Sequence, residues 1–452
     1  MSAEHKAANA FYLRKNLSLA WPLALNALLM QSMLIIDILI VSPLGEIALA
    51  GMGIATTIIA FFIGLQFALG NGTQLIIGRM FGANNTQGLF SAVSCGLVIN
   101  VLATLGFVLS LVFFSEDLVA VLTADSAIAE QVARYLSVAQ YILLFNAVTQ
   151  VITVLLNGQG NTKTPLKIYL IELPVNALVS YLLTFGIASL SFDGLGLIGA
   201  AFGSLVAIVL RLALLWLHIK DQPVSAAFQL KPLCIAKVIG QHFREILPVA
   251  TNFLVLSVGN TVYQLLFAQL ELTSYVAITL VFPWLRIATQ FIVAWGQANA
   301  ITITQAIGQG NTADVQPLIK NAIKLGMLLA IIVAAALYGF SLVAAFIYPH
   351  VELSVLQALT IIMPLYVMLP LIRTFNTIAG NCLRAIGQSV YVLKVHAITQ
   401  WLVVLPLCAL LTLYFQLPLF WIFALLLLEE LLKALPFYLR LKTLGIFSGY
   451  FL

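Results

Sequence analysis

Long apolar runs separated by short polar connections dominate this chain. Crossing the hydrocarbon core of a bilayer takes roughly 20 predominantly apolar residues in one helix. Twelve stretches meet that requirement: 17–41, 50–76, 88–114, 131–156, 164–187, 194–218, 245–268, 275–305, 321–346, 355–383, 389–414 and 419–439. Their apolar residues run continuously instead of alternating, which excludes a membrane β-barrel. The pattern therefore predicts an all-α membrane protein of twelve transmembrane helices.

The composition supports lipid as the solvent for most of the surface. Hydrophobic residues make up 62% of the 452 residues and charged residues 8%, whereas a soluble domain carries about 25% charged residues. The net charge of +5 is too small and too dispersed to indicate a nucleic-acid partner. The four cysteines show no CxxC or Cys/His spacing, so we expect no metal site and no cofactor. The first apolar run lacks a cleavage signal, which favours an uncleaved first helix.

Basic residues lie mainly on one side of the predicted helices. The loops on the other side carry acidic residues such as Glu46, Asp125 and Glu352, and no Lys or Arg. By the positive-inside rule, both termini are then cytoplasmic, and we expect a multi-pass protein of a bacterial-type inner membrane.

The second half of the chain repeats the first. Matching positions include Pro22 and Pro248, Asn26 and Asn252, and Asn71 and Asn299. Six helices per copy make the repeat parallel, related by an axis along the membrane normal, and the midplane between the copies is the expected substrate site. We therefore predict a first lobe at 1–218, a cytoplasmic linker along the membrane surface at 219–244, and a second lobe at 245–452.

Asp37 is the clearest candidate for function. It lies in the apolar sequence MLIIDILIV, and a carboxylate there costs roughly 2.5–3.5 kcal/mol on insertion scales. One hypothesis is a group that alternates between its charged and neutral forms. The alternative is a permanent hydrogen-bonded tie between helices. Pro22 in the same run permits a kink, or only a static bend.

Other polar residues at membrane depth are candidates either for function or for plain structural roles. Asn176 and Ser180, one helical turn apart, and Ser204 are candidate neighbours of Asp37. Small polar residues also serve in plain helix packing, and for Ser204 taken alone that interpretation is favoured. Candidate substrate contacts are Asn26, Gln31 and Gln264. The remaining charges, for which structural roles are expected, are Glu172, Arg211, Arg286, Arg373, Glu429, Glu430 and Lys433. The spacing of Glu429, Glu430 and Lys433 predicts a local ion pair.

Several segments together resemble the multidrug and toxic compound extrusion (MATE) transporters. They are LAWPLALNALLMQSMLIIDILIVSPLGEIALAGMGIA, QLIIGRMFGANN, LNGQGNTKTPLKI and GLGLIGAAFGS. The resemblance covers essentially the whole chain. It implies a two-lobe, twelve-helix exporter, expected to act as a monomer, that ejects small cationic or amphipathic drugs in exchange for protons or sodium.

The resemblance also implies roles for particular residues. Asp37 matches the coupling aspartate of the family, Pro22 its bending proline and Asn176 its fifth-helix asparagine. Tyr135 matches a tyrosine near the same pocket.

The chain departs from the pattern at Ser180, which replaces an aspartate of some members, and at Ser204, which replaces a threonine. It also lacks the carboxylates that some members carry in the second lobe, where helix seven has Leu256 and helix ten offers Arg373 but no acid. With one carboxylate instead of two at the first-lobe site, and sodium preferring about six oxygen donors by analogy with other hard cations, proton coupling is favoured, in a branch similar to DinF.

Three alternatives stay open. Sodium-coupled drug antiport is one, and flipping of a lipid-linked precursor is another, for which Arg286 and Arg373 could bind pyrophosphate. The third is an intramembrane enzyme that uses Asp37 as an acid or base. No second catalytic carboxylate, zinc spacing or Ser/His pairing accompanies Asp37, so an enzyme is not expected.

Overall fold

The computed structural model describes residues 3–123, 125–186, 192–229 and 232–446. Within them, twelve long helices follow one another. They are α1 (Ala3–Val41), α2 (Glu46–Gly82), α3 (Thr86–Leu122), α4 (Ser126–Gly158), α5 (Lys163–Phe185), α6 (Leu197–Ile219), α7 (Pro232–Phe267), α8 (Leu272–Gly308), α9 (Thr312–Ile347), α10 (Leu353–Ala385), α11 (Ser389–Tyr414) and α12 (Leu419–Thr443). Helix α11 contains two π-helical stretches, Ile398–Val404 and Leu410–Tyr414.

Each predicted span coincides with one of these helices. Eleven of the described helices are long and apolar enough to cross a membrane. The twelfth, α12, has 25 residues and carries three charged groups near its middle, Glu429, Glu430 and Lys433. Residue 187, the predicted end of the fifth span, lies outside the described residues. The all-α, twelve-helix prediction is confirmed, and the protein is a multi-pass membrane protein.

The chain divides into two compact units that exchange the beginnings of two helices. The first unit is Leu25–Leu247, and the second unit combines residues up to Ala24 with Pro248–Leu452. The predicted first lobe, 1–218, begins and ends earlier than the first unit. The predicted second lobe, 245–452, lacks the start of the chain that belongs to the second unit. Both divisions fall beside the repeat-related prolines, which lie inside α1 and α7.

Side-chain hydrogen bonds explain why the start of α1 belongs to the second unit. The Tyr12 hydroxyl donates to Asp314 Oδ2 at 2.9 Å on α9. Lys15 Nζ donates to Gln305 Oε1 at 2.9 Å on α8. Farther along, Asn16 Nδ2 donates to Asn299 Oδ1 at 2.6 Å, and both side chains are buried. Buried polar groups need such partners, so these bonds fix the helix start.

The start of α7 is held in the first unit in an equivalent way. Thr73 Oγ1 lies 3.2 Å from His242 Nε2, and Arg79 forms an ion pair with Glu245. His242 comes 226 positions after Asn16, as Pro248 comes 226 after Pro22. Asn299 also comes 226 positions after Thr73, so the two contacts join corresponding positions of the repeat, although the sequence pattern had matched Asn299 with Asn71.

Residues 230 and 231 of the predicted linker, 219–244, lie outside the described residues, and the rest of it is largely helical. A short 3-10 helix, Pro223–Gln229, is followed by α7 from Pro232. Ser94 Oγ on α3 donates to the carbonyl of Ala227 at 2.5 Å, which fastens the short helix to the first unit. The expected position of this segment along the membrane surface stays a prediction.

Candidate functional site

Asp37 is a buried carboxylate without a cationic partner. It lies on α1 with 6% of its surface exposed. Its Oδ2 accepts a hydrogen bond from Ser204 Oγ at 3.2 Å, and its Oδ1 has no hydrogen-bond partner. Among the described residues, no Lys, Arg or His lies within ion-pair distance of Asp37. An uncompensated charge at this depth is costly, so neutralisation is favourable.

A hydrogen-bonded chain links Asp37 to two other helices of the first unit. Asn176 Nδ2 on α5 donates to Ser204 Oγ on α6 at 3.1 Å, and Ser204 in turn donates to Asp37. Ser180 is also buried, yet its hydroxyl donates to the carbonyl of Ala200 at 3.4 Å. The structure therefore brings Asp37, Ser204 and Asn176 together, while Ser180 ties α5 to α6.

Two glycines allow α5 and α6 to approach closely enough for this chain. A Cβ at Gly203 would overlap Ser180, and a Cβ at Gly199 would overlap the backbone of Leu183. Small residues four positions apart are a common contact between membrane helices. Because Ser204 follows Gly203 directly, the glycine contact places the Ser204 hydroxyl at the distance of a hydrogen bond from Asn176.

The chain of three side chains has more acceptors than donors. Ser204 and Asn176 each donate one bond along the chain, and two buried oxygens, Asp37 Oδ1 and Asn176 Oδ1, have no donor. A proton on Asp37 Oδ1 would turn one of these acceptors into a donor and remove the buried charge. The described residues contain no group of three or more His, Cys, Asp or Glu arranged for a metal ion.

The other predicted site residues lie on α1, α4 and α7 and differ in their burial. Tyr135, on α4, is 5% exposed and lies within electrostatic range of Asp37. Pro22 is buried in α1, which stays helical through it. Asn26 is buried with an unpartnered Oδ1, and Gln31 is half-buried. Gln264 is exposed on α7 in the second unit. The roles predicted for these residues stay predictions.

The second unit contains a charge cluster, in which Glu429, Glu430 and Lys433 are buried and Arg373 is half-buried. Lys433 Nζ forms an ion pair with Glu429 and lies 3.9 Å from Glu430 Oε1, as the helical spacing predicted. Arg373 Nε on α10 donates to Glu430 Oε1 at 3.0 Å. These contacts identify the partner of Arg373, which the sequence could not name.

Neutral side chains complete the charge cluster. The hydroxyl of Tyr263 on α7 donates to Glu429 Oε2 at 2.6 Å. Asn376 Nδ2 donates to Glu430 Oε2 at 2.8 Å and to the carbonyl of Glu430 at 2.7 Å. Every carboxylate of the cluster therefore has both a cation and a neutral donor, in contrast to Asp37.

A second buried ion pair lies in the first unit. Arg211 on α6 donates to both carboxylate oxygens of Glu172 on α5, each at 2.6 Å. The guanidinium also lies 4.2 Å from the centre of the Tyr169 ring. This bidentate geometry agrees with the structural role expected for both charges. Arg286, by contrast, is exposed on α8 and has no side-chain partner among the described residues.

Comparison with known proteins finds relatives that are named as transporters or multidrug resistance proteins. The MatE family model matches residues 22–182. The uncharacterized transporter YisQ of Bacillus subtilis is 22% identical, over 86% of this chain and 85% of that protein. A probable multidrug resistance protein, NorM of Bradyrhizobium diazoefficiens, is 24% identical over 87% and 85% of the two chains.

Solved structures agree on the fold. A transporter of the MOP superfamily from Pyrococcus furiosus superposes with a TM-score of 0.83 at 17% identity, covering 96% of each chain. A crystal structure of a MATE protein in its bent conformation also gives 0.83 at 17% identity, covering both chains fully. The resemblance expected from the sequence is confirmed. Members of this family are transporters and not enzymes, which argues against the enzyme alternative.

Proposed function

Since this chain matches the MatE family of transporters and has the fold of MATE proteins, we propose that it exports small cationic, amphipathic compounds in exchange for protons. Asp37 is the group that carries the proton. The observation that supports this proposal is the environment of the buried Asp37 carboxylate. It has one weak hydrogen-bond donor, one oxygen without a partner and no cation among its described neighbours.

The ionised carboxylate favours a bound organic cation because electrostatic attraction is strong at low dielectric. A proton arriving from outside removes that attraction and provides the donor that the chain of Asp37, Ser204 and Asn176 lacks. The helix then bends at Pro22, where the ring interrupts the backbone hydrogen bonding. Release of the proton inward resets the cycle. One charge crossing 100 mV supplies about 2.3 kcal/mol.

The surroundings of the transporter follow from the same proposal. The chain works as a monomer in a bacterial-type inner membrane, with both termini in the cytoplasm and lipid around its apolar surface. Its substrates reach it as drugs or similar amphipathic molecules. It needs no cofactor and binds no nucleic acid.

One observation supports sodium as an alternative coupling ion. Two buried oxygens, Asp37 Oδ1 and Asn176 Oδ1, have no donor and could contribute to a cation site. Hard cations of this kind usually take about six oxygen ligands, and the chain of three side chains offers few more than these two. We therefore favour the proton.

Efflux of ethidium from proteoliposomes tests the proposal. The purified protein is given a proton gradient or a sodium gradient, each alone, and the variant Asp37→Asn is compared with the unmodified chain. We expect proton-driven efflux in the unmodified chain and its loss in Asp37→Asn. The matched control is Glu46→Gln, which makes the same chemical change at an exposed carboxylate. Efflux driven by sodium alone, or undiminished in Asp37→Asn, would contradict the proposal.

A further inference from the structure

Arg440 lies near the end of α12, Leu419–Thr443. At 1.5 Å per residue, about 30 Å of helix separates it from Leu419 at the other end. The hydrocarbon core of a bilayer is also about 30 Å thick. Gln388, which contacts Arg440, lies in the short connection between α10 and α11. Both residues therefore lie at the boundary between the hydrocarbon core and the lipid headgroups.

Two neighbouring side chains hold the guanidinium of Arg440 in place. Gln388 Oε1 accepts a hydrogen bond from Nε at 3.2 Å and another from Nη2 at 2.5 Å. The guanidinium also lies 5.2 Å from the centre of the Tyr391 ring, and the Tyr391 hydroxyl donates to the carbonyl of Pro436 at 2.9 Å. A ligand would therefore meet a cation that is already oriented, which lowers the entropy cost of binding.

The charge of Arg440 has no partner of opposite sign. Among the residues that the structure describes, no carboxylate lies within ion-pair distance of it. A guanidinium has five N–H donors, and Gln388 accepts from two of them. The remaining donors, on Nη1 and Nη2, form a planar fork that fits two oxygens of a phosphate. Arg440 therefore presents an open site for an anion.

A second cation lies on the same side of α11 as Tyr391. Lys394 comes three residues after Tyr391 and is exposed. Its long side chain can carry the ammonium back to the level of the headgroups, as lysines near helix ends do. A zwitterionic headgroup would bring a further cation into this region, whereas an acidic headgroup would not. The two cations therefore favour a phospholipid with a net negative charge.

An apolar surface continues from Arg440 toward the middle of α12. Leu431, Leu435 and Leu439 are exposed and follow one another at intervals of four residues, so they form one stripe along the helix. A phospholipid can lay an acyl chain on this stripe while its phosphate contacts Arg440. Free phosphate would match Arg440 alone. The continuity of the two surfaces therefore favours a lipid as the source of the anion.

We propose that Arg440, held by Gln388 and Tyr391, binds the phosphate of an acidic phospholipid, with Lys394 as a second cation. Phosphatidylglycerol is a lipid of this chemistry. All of these residues belong to the second unit, and the site does not depend on the transport cycle proposed for Asp37.

Native mass spectrometry of the purified protein in detergent tests this site. Phosphatidylglycerol is titrated as the probe, and phosphatidylcholine and glycerol 3-phosphate are compared with it, because the first lacks the net charge and the second the acyl chains. Loss of charge-assisted hydrogen bonds predicts that Arg440→Gln raises the Kd of the first bound phosphatidylglycerol about tenfold. Lys442→Gln is the matched control, since it removes an exposed cation from the same end of α12. It should change that Kd less than about twofold.

A second variant keeps Arg440 and changes its partner. Gln388→Glu places a carboxylate beside the guanidinium, which neutralises the charge that attracts the phosphate. It should weaken phosphatidylglycerol binding as Arg440→Gln does. This variant decides the question if Arg440→Gln does not fold.

Three results would overturn the site. They are unchanged binding of phosphatidylglycerol in Arg440→Gln or Gln388→Glu, equal effects of Arg440→Gln and Lys442→Gln, and equal affinity of the unmodified chain for phosphatidylglycerol and phosphatidylcholine. Binding of glycerol 3-phosphate as tight as that of phosphatidylglycerol would overturn the lipid as the ligand.

Discussion

The two units of the protein treat buried carboxylates in opposite ways. Asp37, in the first unit, has only Ser204 as a hydrogen-bond donor and no cation among its described neighbours. Glu429 and Glu430, in the second unit, share Lys433, and each has a further neutral donor. Both sites are almost fully buried, so the difference lies in their partners and not in their exposure.

That difference separates a group suited to change its charge from groups suited to keep it. Protonation stabilises a carboxylate that has no cationic partner at low dielectric, because it removes the unpaired charge. A carboxylate paired with Lys433 or Arg373 loses its ion pair on protonation, which leaves a buried cation without a partner. We therefore infer that Asp37 exchanges the proton, and that the charge cluster of the second unit stays ionised and has a structural role.

The largest expected effect comes from breaking the charge cluster. Lys433→Met leaves two buried carboxylates with Arg373 as their remaining cation, and removal of one partner of a buried pair costs about 3–5 kcal/mol. Asp37→Asn removes a charge that has no such partner, and should not lower stability. Thermal unfolding of the two variants in detergent compares them directly.

A double variant serves as the control for this prediction. Glu429→Gln combined with Lys433→Met removes one charge of each sign, and should recover much of the stability that Lys433→Met loses. If Lys433→Met unfolds no more readily than Asp37→Asn, the two sites do not differ as we infer.

A smaller effect should follow from separating α5 and α6. In Gly203→Ala the added methyl group overlaps Ser180, and overpacking of this kind typically costs about 1–3 kcal/mol. The displaced Ser204 should also weaken ethidium efflux. Gly53→Ala on α2 is the matched control, since its Cβ meets nothing within 4 Å. Equal stability and efflux in both variants would show that the glycine contact does not position the site.

The smallest effect should come from the hydroxyl that donates to Asp37. Ser204→Ala removes the hydrogen bond that Ser204 donates to Asp37, worth about 1 kcal/mol, together with the one it accepts from Asn176, and should shift the pH dependence of efflux without abolishing it. Ser204→Thr keeps the hydroxyl and should behave like the unmodified chain. In Ser180→Ala, which loses only a contact to the carbonyl of Ala200, the pH profile should stay in place. A profile identical in all three variants would remove Ser204 from the site.

Hydrophobic pattern alone predicted the helices well, because the bilayer sets the length of each apolar run. It could not predict that the start of α1 packs in the second unit. The bonds from Tyr12 to Asp314 and from Asn16 to Asn299 join residues about 300 positions apart, and no local pattern marks them. The repeated prolines, Pro22 and Pro248, marked the two places where the units divide. They did not indicate that the units exchange the starts of α1 and α7.

The candidate site was predictable only in part. Asp37 was found because a single acid in an apolar run needs a reason. Ser180 and Ser204 were both candidate neighbours, with plain helix packing favoured for Ser204 alone, since the sequence does not show which hydroxyl faces α1 and which faces the backbone of α6. Arg373 and Glu430 are 57 positions apart and lie on different helices. The spacing of residues within one helix therefore gives no indication that they pair.

The most direct test of the account measures protons at the moment of substrate binding. Purified protein in weakly buffered detergent solution is protonated at mildly acidic pH and mixed with ethidium while the released protons are counted. Because binding and protonation compete at one carboxylate, we predict about one proton released per bound ethidium, and none in Asp37→Asn. Binding without proton release in the unmodified chain, or the same release in Asp37→Asn, would contradict the central role of Asp37.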